Sequence, residues 1–135
     1  MRVIIGGSRS ISDPNALDEA VAQAGFAITE TITGNSRGAD LLAAAWAERK
    51  QVKCVVIPVE WNRYGGRAEQ IRNDRIADMA DGCILLWDGF SRGTAHLMEA
   101  IERRGLKLFV YRCNPQQATD RKTTSIIRNA SEMTS

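Results

Sequence analysis

Apolar and polar positions follow two alternating rhythms along the first 111 residues. Short runs of aliphatic and β-branched residues read as buried strands, and longer segments with apolar residues every three or four places read as helices. Arg2–Gly6 is a strand closed by Gly6-Gly7. Asp13-Pro14 forms an N-cap with proline at the first helical position, and Ala16, Leu17, Ala20, Val21 and Ala24 give the helix one apolar face before Gly25 stops it. Ala27–Ile32 is a second strand. A helix beginning at Gly38 or Asp40 turns Leu41, Leu42, Ala45 and Trp46 inward, and Val52–Val59 is a third strand. Glu60–Gly66 reads as a loop and Arg67–Ala80 as a helix. Cys83–Trp87, the helix Gly93–Arg104 and the strand Leu106–Tyr111 complete the series.

Regular strand–helix alternation with nearly obligatory right-handed crossovers predicts a parallel sheet with helices on both faces. The expected fold is therefore α/β: a Rossmann-like three-layer α/β/α domain with a mainly parallel five-stranded sheet. It occupies residues 1–113, and residues 114–135 form a polar C-terminal tail carrying at most a short helix around Ser125–Asn129.

Composition narrows the picture further. A chain of 135 residues supports one domain, and a net charge of +2 is too small for the broad basic face that duplex binding needs, so nucleic acid is not an expected partner. Fourteen arginines stand against four lysines, an excess that matters where a planar fork can grip phosphate through paired donors. Three unclustered cysteines argue against a disulfide framework, and Cys54 and Cys83 sit in apolar runs as small hydrophobes. No run approaches the ~20 apolar residues that cross a bilayer, and no leader pattern precedes Val3, so a cytoplasmic, membrane-free protein is expected.

In an open parallel sheet, ligands settle beyond the carboxyl ends of the strands, where strand order reverses. Three loops at that edge combine glycine, a hydroxyl and an arginine: Gly6-Gly7-Ser8-Arg9, Thr33-Gly34-Asn35-Ser36-Arg37-Gly38 and Asp88-Gly89-Phe90-Ser91-Arg92-Gly93-Thr94. Glycine lets backbone N–H groups approach an anion, a helix N-terminus adds partial positive charge, and arginine supplies a fork. Ser36 and Thr94 also suit plain capping. There is no G-x-x-x-x-G-K-[ST], the first loop is not G-x-G-x-x-G, and Glu30, near the place of an acidic ribose partner, lies within its strand. His96 is the one histidine, no metal-type cluster occurs, and no cofactor is implied.

At these loops the chain resembles the SLOG superfamily, in its YpsA/YspA-like branch. The likeness rests on Gly6-Gly7-Ser8-Arg9, Thr33-Gly34 with Gly38-Ala39-Asp40, Trp46-Ala47, Trp61, Arg72-Asn73, and Ser91-x-Gly93-Thr94 before Ala100, spanning about residues 1–111. That resemblance implies a Rossmann-like fold for a nucleotide-derived ligand such as ADP-ribose, an NAD-like molecule or a nucleoside monophosphate, in an enzyme or a sensor. It also implies a homo-oligomer, since relatives commonly pair through helices beside the site. The chain is distantly similar to the "lonely guy" phosphoribohydrolases, whose motifs resemble R-K-x-x-M and P-G-G-x-G-T-x-x-E. Arg72 resembles their arginine, with Asn73 in place of lysine, and Gly93-Thr94 their phosphate loop. Their glutamate has no match: Leu97 stands three residues after Thr94, and Glu99 is two further on, about 200° around the helix.

The resulting expectation is a sensor or sequestering protein with phosphates on the Gly6–Arg9 and Ser91–Thr94 loops, ribose near Gly34–Asp40 and the base toward Trp61. The alternative is a hydrolase of a nucleotide N-glycosidic bond using Arg72 and an acid among Asp40, Asp88 and Glu99. Both require Arg9, Arg37, Arg72 and Arg92 to converge on one hollow.

Overall fold

A computed structural model describes residues 1–113 and 127–129. The elements in chain order are β1 (Arg2–Gly7), α1 (Pro14–Ala24), β2 (Glu30–Thr33), α2 (Ala39–Lys50), β3 (Lys53–Val56), α3 (Trp61–Tyr64), α4 (Ala68–Met79), β4 (Gly82–Trp87), α5 (Arg92–Arg103), β5 (Lys107–Arg112) and β6 (Ile127–Asn129). The sheet runs β3-β2-β1-β4-β5-β6, with the first five strands parallel and β6 antiparallel to β5. The expected α/β Rossmann-like arrangement with five parallel strands is present.

Alternation along the strands divides the interior into two layers. Val3, Ile5, Ile84, Leu86, Phe109 and Tyr111 face Leu17 and Ala20 of α1 and Ala43, Trp46 and Ala47 of α2. Ile4, Cys83, Leu85, Leu108 and Val110 face Ile76 and Ala77 of α4 and Leu97, Ala100 and Ile101 of α5. Both sheet faces are covered, which is why the central strands are continuous apolar runs instead of alternating ones.

Helix ends follow local chemistry. Asp13 accepts a hydrogen bond from the Asn15 N–H at the start of α1, with Pro14 in the first turn and Gly25 closing the last. At α5, Ser91 accepts from the Thr94 N–H. Arg103 and Arg104 bridge to Asp74 and Asp78 across the α4–α5 surface, as a solvated charged face would.

Several expectations are corrected. The buried face of α2 is Ala39, Asp40, Ala43, Trp46 and Ala47, and Leu41 is 59% exposed. The helix begins at Ala39, and the inward stripe that includes Trp46 places position 41 outside. Glu60–Gly66 contains the short helix α3 and runs into a 3₁₀ turn at Gly65–Arg67. Ile127–Asn129 is a strand, because it completes the open edge of β5 through Tyr111, Val110 and Phe109; the rest of the expected short helix lies outside the described residues. No disulfide joins the three cysteines, and burial pushes the Cys83 thiol far up.

Candidate functional site

Strand order reverses between β1 and β4, whose succeeding helices leave toward opposite faces. A cavity of about 520 Å³ opens there. Its walls come from the β1–α1, β2–α2 and β4–α5 loops and from the first half of α4. This is the place that the topology of an open parallel sheet reserves for a ligand.

Asp40 and Arg72 form the charged interior. Asp40, in the first turn of α2, is 7% exposed; it accepts from the Thr33 hydroxyl at 3.3 Å and the Ser36 N–H at 3.2 Å. Burial pushes its carboxyl above the ordinary value, against the pull of Arg72, those two donors and Arg9. Arg72, in α4, donates from Nε to Asn73 Oδ1 at 3.0 Å and from an η-nitrogen to the Ile57 carbonyl at 3.3 Å. Burial lowers its pKa from the ordinary value, with Asp40 and Glu69 opposing. Between them lies Gly34, where a Cβ would collide with the Arg72 guanidinium and come within 2.6 Å of Asp40 Oδ2. The glycine therefore makes room for the protein's own charged groups.

Arg72 also sets a polar chain running to α5. Its Nε can only donate, so Asn73 presents Oδ1 to it and Nδ2 to the Gly93 carbonyl and to His96 Nδ1, at 3.4 and 3.2 Å. His96 consequently accepts at Nδ1. It is a packing partner of buried Asn73, in line with a structural role for the one histidine.

The β4–α5 loop is organised from within. Asp88 Oδ1 accepts from the Phe90 and Ser91 N–H groups at 2.8 and 2.9 Å, and Oδ2 accepts from the Ser10 hydroxyl at 2.8 Å. Burial opposes its charge, but these donors and Ser8 outweigh it and hold the Asp88 carboxyl below its ordinary value. The Ser91 and Thr94 hydroxyls lie 2.9 Å apart and bond to each other.

The cleft gathers Gly6, Gly7, Arg9, Thr33, Gly34 and Arg37 from the first two loops. It gathers Asp40 from the start of α2, and Arg72, Asn73, Ser91, Gly93 and Thr94 from α4 and the β4–α5 side. Arg9 and Arg37 are exposed at its mouth and make no hydrogen bond or salt bridge among the described residues.

Five expected residues do not line it. Ser8 is buried, accepting the Asp88 N–H on its hydroxyl and the Ala39 N–H on its carbonyl, so it ties the three loops together from behind. Gly38 packs on the Arg9 backbone. Arg92, at the outer start of α5, is exposed away from the cavity, so three of the four expected arginines converge there. Trp61 sits half-exposed on α3, and Glu99 is exposed on the outer face of α5. The 200° offset of Glu99 from the matching position is the physical reason it misses the cleft. Glu30, at the amino end of β2, pairs with Arg2 and Lys53 at the opposite sheet edge.

Glu69 is a charged cleft residue that the sequence reading did not single out, and Ser10 is a polar one. Glu69 lies on the first turn of α4, three places before Arg72, and reaches the cleft wall. The i, i+3 spacing to Arg72 was the available signal.

The molecule is thus a Rossmann-like α/β protein with a charged cleft at its switch point. Residues 1–64 match the family model described as YAcAr: YspA, cpYpsA-related SLOG family. This match, over just under half of the chain, supports a place in the SLOG superfamily, in its YspA-like branch. The family likeness points to binding or processing of a nucleotide-related ligand. Comparison with curated proteins and with solved structures gives no match. Among the described residues no helix is long and apolar enough to cross a membrane.

Proposed function

We propose that this protein binds a phosphorylated, nucleotide-derived ligand (ADP-ribose, an NAD-like molecule or a nucleoside monophosphate) as a sensor or sequestering protein. The observation that carries the reading is the pair Arg9 and Arg37, two guanidinium groups without a salt bridge among the described residues, at the mouth of a glycine-walled cleft on the switch point. An arginine left unpaired beside a concavity is a ready partner for phosphate oxygens. Asp40, deeper in, has the chemistry to accept from ribose hydroxyls. Calorimetry against nucleoside monophosphates and ADP-ribose tests the reading. Binding is expected to weaken about tenfold or more in Arg9→Ala and in Arg37→Ala, with little change in melting temperature because both side chains are exposed. No binding at millimolar ligand by the unaltered protein would remove the proposal.

A second reading, hydrolysis of a nucleotide N-glycosidic bond, draws support from three carboxylates, Asp40, Glu69 and Asp88, that line the same cleft as Arg72. An oxocarbenium-like transition state needs such a group beside the anomeric carbon. Release of free base by the unaltered protein but not by Arg72→Ala is the expected mark of that activity; equal background in both excludes it.

A further inference from the structure

We infer that Glu69 divides the cleft into an anion-binding half and an anion-repelling half, so that it selects ligands with one terminal phosphoryl group and a hydroxyl-bearing remainder. This deepens the nucleotide reading above and rests on it.

The β4–α5 loop has a composition suited to phosphate, but two features of the structure oppose that use. The first is position. Glu69 projects from α4 onto Gly93 in the first turn of α5, where a Cβ would overlap its carboxylate. Glu69 makes no hydrogen bond or salt bridge among the described residues; only the longer-range attraction of Arg72 offsets its charge, and the carboxylate lines the cavity. The positive end of α5 thus already has an anion beside it. The second feature is donor use: the Phe90 and Ser91 N–H groups go to Asp88, the Thr94 N–H goes to Ser91 Oγ, and the two hydroxyls satisfy each other.

At the other end, Arg9 and Arg37 make no salt bridge among the described residues, and Arg9 feels only the longer-range pull of Asp40. A phosphoryl group therefore gains at that end and meets like charge at Glu69, while a vicinal diol can donate to Glu69 and Asp40. A diphosphate laid across both loops must bring its second group toward the Glu69 carboxylate. Like charges a few ångströms apart at a partly desolvated site change affinity by roughly tenfold or more.

Calorimetry with adenosine 5′-monophosphate and ADP-ribose tests this on the full chain and on Glu69→Gln, which keeps the shape and removes the charge. Glu69→Ala serves as a second variant, and thermal melts establish that each is folded. The unaltered protein is expected to bind the monophosphate about tenfold more tightly than ADP-ribose. Both variants are expected to narrow that ratio at least about fivefold, chiefly through tighter ADP-ribose binding. A preference for ADP-ribose in the unaltered protein, or the same ratio in folded variants, overturns the inference while the nucleotide reading stands. No binding of either compound by the unaltered protein removes the nucleotide reading, and this inference with it.

Discussion

Asp40 shows how one residue trades stability for a site. In the folded chain burial keeps its proton to higher pH than in the unfolded chain, so ionising it costs stability. Its favourable contribution is complete below the ordinary carboxylate range and is lost as pH rises through the raised value. Asparagine keeps an acceptor for the Ser36 N–H and removes the buried charge. Asp40→Asn is therefore expected to melt about 2–5 °C higher than the unaltered protein at pH 7, with the gap closing toward pH 3, and to bind ligand more weakly. Melting curves across that range check the sign. Asp40 was legible in the sequence as an acid near a helix start. Its burial was not, because that depends on Thr33, Ser36 and Arg72 closing around it.

Among the elements, α5 separates local capping chemistry from ligand chemistry. Ser91 reads equally well as a phosphate contact or an N-cap, and in the fold its hydroxyl is committed to Thr94. Ser91→Ala is expected to cost about 1 kcal/mol of stability and to leave ligand affinity within about twofold. A denaturant melt paired with calorimetry reads both, and a tenfold loss of affinity would return Ser91 to the ligand. Element types follow from short-range pattern. The α1 cap at Asp13, the stop at Gly25 and the unbroken apolar run of β4 each need only neighbouring residues. The phase of α2 and the existence of β6 escape that logic. Which side of α2 faces inward depends on the sheet it lands on, and β6 exists by pairing with an edge whose partner is distant in sequence.

For the molecule as a whole, the three-layer design makes a specific claim about the central strand. Ile84 points to the α1–α2 layer and Leu85 to the α4–α5 layer, and both are fully buried. Ile84→Ala and Leu85→Ala are each expected to destabilise by about 2–5 kcal/mol, comparably, because neither sheet face is open. A cheap substitution on one face, measured by urea unfolding, would contradict the layering. Such an architecture is determined by the sequence itself: apolar runs of strand length alternating with amphipathic segments can bury their surfaces in few ways, and handedness leaves little choice. The same holds for the sheet edge that carries the site, since the glycine–arginine loops all follow strands. Only the tertiary structure decided which charged side chains share the cleft. Arg9, Arg37 and Arg72 enter it while Arg92 stays outside, and Glu69 arrives across a helix pair. Where a side chain ends up depends on its angular phase on a docked helix and on the Coulomb balance among groups far apart in the chain, and neither is set by neighbours in sequence.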